Sequence, residues 1–326
     1  MEKLVSILTP CFNGEKYIDR YAESLLNQEY SNCQLIFMDD GSTDCSKEKI
    51  LSYQVRFEEK GFSFEYHYHQ NAGVGATIAE GIKYISGDYL IWPDIDDTIT
   101  SDSIRKKVDF LESNPEYGLV RTDFAKILDD NPAKIIGYGA QKYQNRWKED
   151  LFEDYLLSNQ AWFQPGCFMI RMDAFLDANP TGYIFPTRRG QNWQMLLPVL
   201  YKYKCGYIDE PLYNYYLHAG SISDASRETP EATIKKYEMY EELILDTVDH
   251  ITMPREEKNS YKHRVVCYYF GRKIDVCFRN GLKDQAKIYY HELVKLGCSD
   301  KKSLFKMITT GTIVAKLYVK RQAKKA

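Results

Sequence analysis

Over the first hundred residues, short apolar runs alternate with helical patterns, and that alternation leaves few topologies open. Residues 4–10, Leu-Val-Ser-Ile-Leu-Thr-Pro, read as a buried strand ended by Pro10. Residues 15–28 place Tyr17, Ile18, Tyr21, Leu25 and Leu26 on one helical face. A second strand, 34–38, stops at Asp39-Asp40-Gly41-Ser42, and Ser42 or Thr43 is positioned to cap a helix running to about Lys60. Residues 62–69 alternate like a strand, 74–85 read as a helix, and Gly87-Asp88 turns into a strand that ends at Asp94. This order predicts an α/β fold: a doubly wound, mostly parallel sheet flanked by helices. In such sheets ligands gather beyond the carboxyl ends of the strands. Pro10, Asp39, Asp40, Asp94 and Asp96 all fall at those ends.

The strand 89–93 runs straight into Asp94-Ile95-Asp96-Asp97. Carboxylates this close repel one another, and a neighbouring core desolvates them. A cation relieves both costs. Hard oxygen donors favour Mg²⁺ or Mn²⁺, ions that keep waters and grip a diphosphate.

Further along, 101–113 reads as a helix and 118–127 as a strand. The stretch 129–165 is irregular, aromatic and charged, as an acceptor-side insertion would be. Strands at 167–171 and 207–216 bracket a helix at about 192–204, and from 229 the pattern turns helical: 230–249, 255–280 and 282–296. The expected organisation is therefore a domain over 1–224, with halves 1–100 and 101–224, and a helical C-terminal appendage over 225–326.

The 326 residues carry a net charge of −3, which argues against nucleic acid as a partner. No run approaches the ~18 apolar residues of a membrane span, and no apolar leader follows Met1, so a cytoplasmic chain is expected. The eight scattered cysteines form no C-x-x-C pair and read as free thiols. His67 and His69 share a strand face but lack further ligands at zinc spacing. The last 26 residues are distinct: eight Lys and Arg, no acid, and apolar residues between them. They read as a basic amphipathic segment able to lie on an anionic membrane surface at the inner face of the plasma membrane.

Several ordered motifs resemble one family. Val5–Ile18 is similar to an opening P-x-Y/F-N-x-E segment, Asp39–Asp44 to D-D-G-S-x-D, Asn71-Ala-Gly73 to N-x-G, Gly81-Ile82 with Gly87-Asp88-Tyr89 to G-I…G-x-Y, and Asp94–Asp97 to D-x-D-D. Tyr215–Ser223 is similar to Y-R-x-H-x-x-S-x-S. Together, over residues 3 to about 223, they resemble the family 2 glycosyltransferases of GT-A fold, of the bacterial polysaccharide type.

The resemblance implies a metal-dependent, inverting transferase of hexosyl or N-acetylhexosaminyl type. Its donor would be a nucleotide sugar, a UDP-sugar, and its acceptor a saccharide or lipid-linked sugar of surface polysaccharide synthesis. It implies a donor pocket of Pro10, Phe12, Glu15, Asp40, Gly73 and Asp94, with Phe12 near the base, Glu15 facing the ribose and Asp40 accepting from a uracil N–H. Asp96 would hold Mn²⁺ or Mg²⁺, with His218 as a second ligand. Trp162, Arg188 and Trp193 would lie on the acceptor side.

The chain departs from the family at Gln191-Asn192, where a Glu-Asp pair commonly supplies the base. Amides cannot take that proton. Asp97 could serve instead, the acceptor could arrive deprotonated, or the protein could bind a nucleotide sugar with little transfer. Ile78 stands near the place of a family arginine, which shifts diphosphate neutralisation to the metal, His218, Arg188 or Arg189. Asp94-Ile-Asp96-Asp97-Thr98 also fits the D-x-D-x-T of haloacid-dehalogenase-like phosphatases, a remaining alternative.

Overall fold

The computed structural model describes residues 2–218 and 229–323. The chain divides into two compact units, Met1–Ser221 with His250–Thr252, and Ile222–Asp249 with Met253–Ala326.

The first unit is built on one curled sheet. Its strands are β1 (Val5–Cys11), β2 (Cys33–Asp39), β3 (Ser63–Tyr68), β4 (Tyr89–Ile91), β5 (Thr98–Ile99), β6 (Tyr117–Leu128), β7 (Asn131–Tyr138), β8 (Phe168–Arg171) and β9 (Lys204–Leu217). Its helices are α1 (Glu15–Leu26), α2 (Ser46–Ser52), α3 (Gln54–Lys60), α4 (Val74–Gly81), α5 (Ser103–Ser113), α6 (Phe152–Leu156), α7 (Met172–Ala178) and α8 (Trp193–Lys202). The spatial order is β3-β2-β1-β4-β8-β6-β9-β5, with β7 paired to β6. The β1, β2, β3 and β4 pairs are parallel, as is β6 with β9, while β8, β7 and β5 run antiparallel to their neighbours. Every residue of β1 and β2 is buried, as expected of strands covered by helices on both faces. Their register sets Cys11 beside Asp39, and Asp39 beside Tyr68, so the polar strand ends form one edge.

Two local expectations change. The segment after Gly41 is two helices broken at Tyr53, with Cys45 rather than Ser42 or Thr43 at the cap position. Ser42 instead uses its hydroxyl to accept Asn13 N–H at 2.9 Å, tying the loop to the end of β1. The stretch 129–165 is also less irregular than its composition suggests, because β7 folds back on β6 as an exposed hairpin arm and α6 follows.

The second unit is helical: α9 (Pro230–His250), α10 (Arg255–Asn280), α11 (Lys283–Lys295), α12 (Lys301–Thr309) and α13 (Ile313–Ala323). Lys273 of α10, nearly buried, pairs with Glu241 of α9 at 2.8 Å. Gly281, at φ 74°, ends α10 in the left-handed conformation that glycine adopts without strain. The reading of all eight cysteines as free thiols does not hold. Cys267 and Cys298 form a disulfide, because α10 and the α11–α12 connection bring their Cα atoms to 5.9 Å; the other six stay unbridged. A separation of 31 residues gives no local signal of that pairing.

Candidate donor site

β4 ends at Ile91, and the chain then turns through Trp92 and Pro93 into the three carboxylates. One oxygen from each of Asp94, Asp96 and Asp97 lies within 4.8 Å of the others. The three are held differently. Asp94 Oδ1 accepts from the Gln191 amide at 2.7 Å. Asp96 Oδ2 meets His218 Nε2 at 2.8 Å, and His218 Nδ1 lies 3.3 Å from the Tyr17 hydroxyl. Asp97 is fully buried: its Oδ2 accepts from the Tyr213 hydroxyl at 2.5 Å and its Oδ1 from Tyr216 N–H at 2.8 Å.

Burial, reinforced by the charge of Asp96, pushes the Asp94 carboxyl up from 3.8 to about 7, against the lowering effect of the Gln191 hydrogen bond. Burial pushes Asp97 well above the usual carboxylate range, with the charges of Asp96 and Asp94 adding to it. Among the described residues, no lysine or arginine side chain pairs with any of the three carboxylates. Arg20 comes near but donates to the Asp96 backbone carbonyl at 2.6 Å. An all-oxygen donor set without a lysine or arginine counter-ion fits a hard divalent cation. Gln191 Oε1 is also buried without a partner beside it.

The neighbouring strand ends make a second cluster. Asp39 accepts Ser42 N–H at 2.7 Å and the Tyr66 hydroxyl at 2.6 Å. Asp40 takes Ala72 N–H at 2.7 Å and Gly73 N–H at 2.9 Å, which anchors the 71–73 loop. Gly73 has φ 94°, and a Cβ there would sit 2.4 Å from the Arg188 carbonyl oxygen. Arg188 reaches back to Asn71 Oδ1 at 2.6 Å, which brings the 71–73 and 187–190 loops together. Glu15 is engaged as well, accepting Cys45 N–H at 3.2 Å. Pro10 is buried at the end of β1, while the Phe12 ring is 49% exposed and available for stacking.

The profile described as Glycosyl transferase family 2 matches residues 6–177, more than half of the chain. The chain belongs to glycosyltransferase family 2. An uncharacterized glycosyltransferase of Haemophilus influenzae is 36% identical over 111 residues, covering 34% of this chain and 43% of that protein. EpsH of Bacillus subtilis, which carries a provisional glycosyltransferase name, is 26% identical over 223 residues, covering 67% of this chain and 62% of EpsH. The chain thus spans less than two thirds of either relative. Two solved structures share the fold. Staphylococcus aureus TarS (residues 1–349 with UDP-GlcNAc) has a TM-score of 0.62 at 15% identity, covering 98% of this chain and 92% of that one. The mannosyltransferase PcManGT of Pyrobaculum calidifontis, with GDP-Man and Mn²⁺, has a TM-score of 0.57 at 12% identity, covering 99% and 85%. This GT-A-type likeness and the family membership remove the phosphatase alternative.

In this family 2 member, Asn192, Trp193 and Trp162 are engaged within the fold. Asn192 is structural: its Oδ1 accepts from Trp92 Nε1 at 3.0 Å, and its Nδ2 donates to the Phe163 carbonyl at 2.9 Å. Trp193 is buried, donates to the Tyr155 carbonyl at 3.1 Å and packs on Phe163 with centroids 4.7 Å apart. Trp162 is buried too, with the Arg121 guanidinium 4.1 Å from its ring centroid. None of these rings is exposed to meet a sugar.

Tyr17, Arg20 and Tyr213 carry parts of the site that the sequence did not mark. Tyr17 and Arg20 share the same side of α1, three residues apart. Arg20 also binds Asp129 at 2.8 Å and stacks over Tyr216 at 3.5 Å. The helical spacing was visible; the partners, 76 to 201 residues distant, were not. Ser221 and Ser223, at the end of the motif that contains His218, lie outside the described residues.

Proposed function

We propose that this chain transfers a sugar from a UDP-sugar to a saccharide or lipid-linked acceptor, with a divalent cation and with inversion at the anomeric carbon. The observation that carries this reading is the meeting of Asp94 and Asp96 at the end of β4 with, among the described residues, no lysine or arginine side chain paired to either. The UDP-GlcNAc bound by TarS supports a uridine donor, and the Mn²⁺ in PcManGT supports the cation. In this reading residues 1–100 form the donor half, 101–224 the acceptor half, and 225–326 an appended helical region.

Asp96 and Asp94 would hold Mn²⁺ or Mg²⁺, with His218 beside them. Such an ion neutralises the charge that builds on a departing diphosphate. Gln191 fixes one Asp94 oxygen, and Tyr17 orients the His218 ring. The open face of Phe12 would stack on the base, and Arg188 would border the diphosphate. Asp97 has both oxygens committed to β9, which supports a scaffolding role in place of a base.

Asp96→Ala is expected to abolish cation-stimulated release of UDP, as is chelation of the wild type. Full activity in that variant would end the assignment. The amides at 191–192 favour one other reading, a nucleotide-sugar-binding protein with little transfer. Thermal stabilisation by a UDP-sugar, with no UDP release on any acceptor extract, would decide for it.

A further inference from the structure

Three ligating side chains converge in the helical unit, where no role has yet been assigned. His263 and Cys267 stand one turn apart on α10, and Cys298 follows α11. Their ligand atoms all lie within 4.8 Å of one another. His263 Nε2 is 3.9 Å from Cys267 Sγ and 3.7 Å from Cys298 Sγ. His263 Nε2 also lies 2.9 Å from the Leu296 carbonyl.

We propose that these residues form a thiolate–imidazole site for a soft divalent cation of the Zn²⁺ class, loaded when the Cys267–Cys298 disulfide is reduced. Thiolate and imidazole donors select such ions over Mg²⁺ or Ca²⁺. Zn–S bonds of about 2.3 Å and Zn–N bonds of about 2.0 Å at tetrahedral angles put S and N roughly 3.6 Å apart and two sulfurs roughly 3.8 Å apart. The sulfur–nitrogen separations already present are within a few tenths of an ångström of that edge. Parting the two sulfurs is the main movement required. Nε2 is the ring nitrogen that faces both sulfurs, so it would ligate and exchange its Leu296 carbonyl contact for the cation. Three protein ligands leave the fourth vertex to water.

The chemistry balances. A phosphine reductant cleaves the S–S bond with one water, giving two thiols and the phosphine oxide. Cation binding then displaces the two thiol protons.

The test uses the full chain, reduced anaerobically with a phosphine and titrated with Co²⁺ as the spectroscopic probe. A thiolate-to-cobalt charge-transfer band at one ion per chain is expected. It should be absent before reduction and lost in Cys298→Ser and His263→Ala at unchanged helical circular dichroism. The carboxylate cluster cannot produce that band. Independently of any variant, Zn²⁺ should slow alkylation of Cys267 and Cys298 in the reduced wild type at least tenfold. A reduced wild type with no thiolate band, or with no protection by Zn²⁺, overturns the proposal, as does a band that survives Cys298→Ser.

Discussion

Replacing Asp97 by Asn keeps an acceptor for Tyr216 N–H and sets an amide against the Tyr213 hydroxyl, which can itself accept. Asp97→Asn should therefore fold with near wild-type stability and retain turnover. Asp97→Ala leaves two buried groups unpaired and should cost roughly 2–5 kcal/mol in urea unfolding. Loss of turnover in a fully stable Asp97→Asn variant would instead make Asp97 a base. The identities at this scale were readable: three acids in four residues demand a counter-charge, and Gln191-Asn192 cannot act as a base. Their contacts were not readable. Gln191 meets Asp94 across 97 residues, and Asp97 meets Tyr213 across 116, so only the folded sheet brings them together.

Among elements, the meeting of the 71–73 and 187–190 loops is the most sensitive contact. Gly73→Ala forces a Cβ to within 2.4 Å of the Arg188 carbonyl in a backbone region that L-residues avoid. It should lower stability by about 1–3 kcal/mol and weaken UDP binding in calorimetry; unchanged affinity would separate this junction from the donor pocket. The strand–helix alternation made β1 to β4 legible, because a buried run followed by an amphipathic face allows few arrangements. Trp162 misled for the opposite reason, since an aromatic residue in an irregular, polar stretch has no period that says which way it faces, whereas Trp193 opens α8, whose residues 193–200 are all buried. The basic tail resolves into α12 and α13. Ile313, Val314 and Leu317 stand out from α13 at 75%, 52% and 59% exposure, beside Lys316, Lys320 and Arg321, while Ala315 is buried. Each basic residue near an anionic surface contributes about 1 kcal/mol. The chain should co-sediment with vesicles rich in anionic phospholipid, less so at high salt, and Leu317→Asp should weaken this. Equal binding to neutral vesicles would remove the membrane role.

For the molecule as a whole, the raised Asp94 pKa makes stability depend on pH. A carboxyl whose folded pKa lies above its ordinary 3.8 contributes stability that is complete below that value and is lost as pH climbs through about 7. The cation-free protein should therefore lose up to a few kcal/mol of stability between pH 4 and 8. Asp94→Asn should flatten the profile, and Mn²⁺ should restore the loss at pH 8. Thermal unfolding across that range checks all three. Among the described residues no helix is long and apolar enough to cross a membrane. β9 has a wider consequence. It pairs with β6 over its length, is gripped by Asp97 at Tyr213 and Tyr216, and delivers His218 directly to Asp96. One residue inserted between Tyr216 and His218 would reach the donor site as a displaced imidazole. One inserted upstream of Tyr213 would first have to be absorbed as a new bulge. Length variation among descendants of this chain is therefore expected before Lys204 or after His218, and not between them.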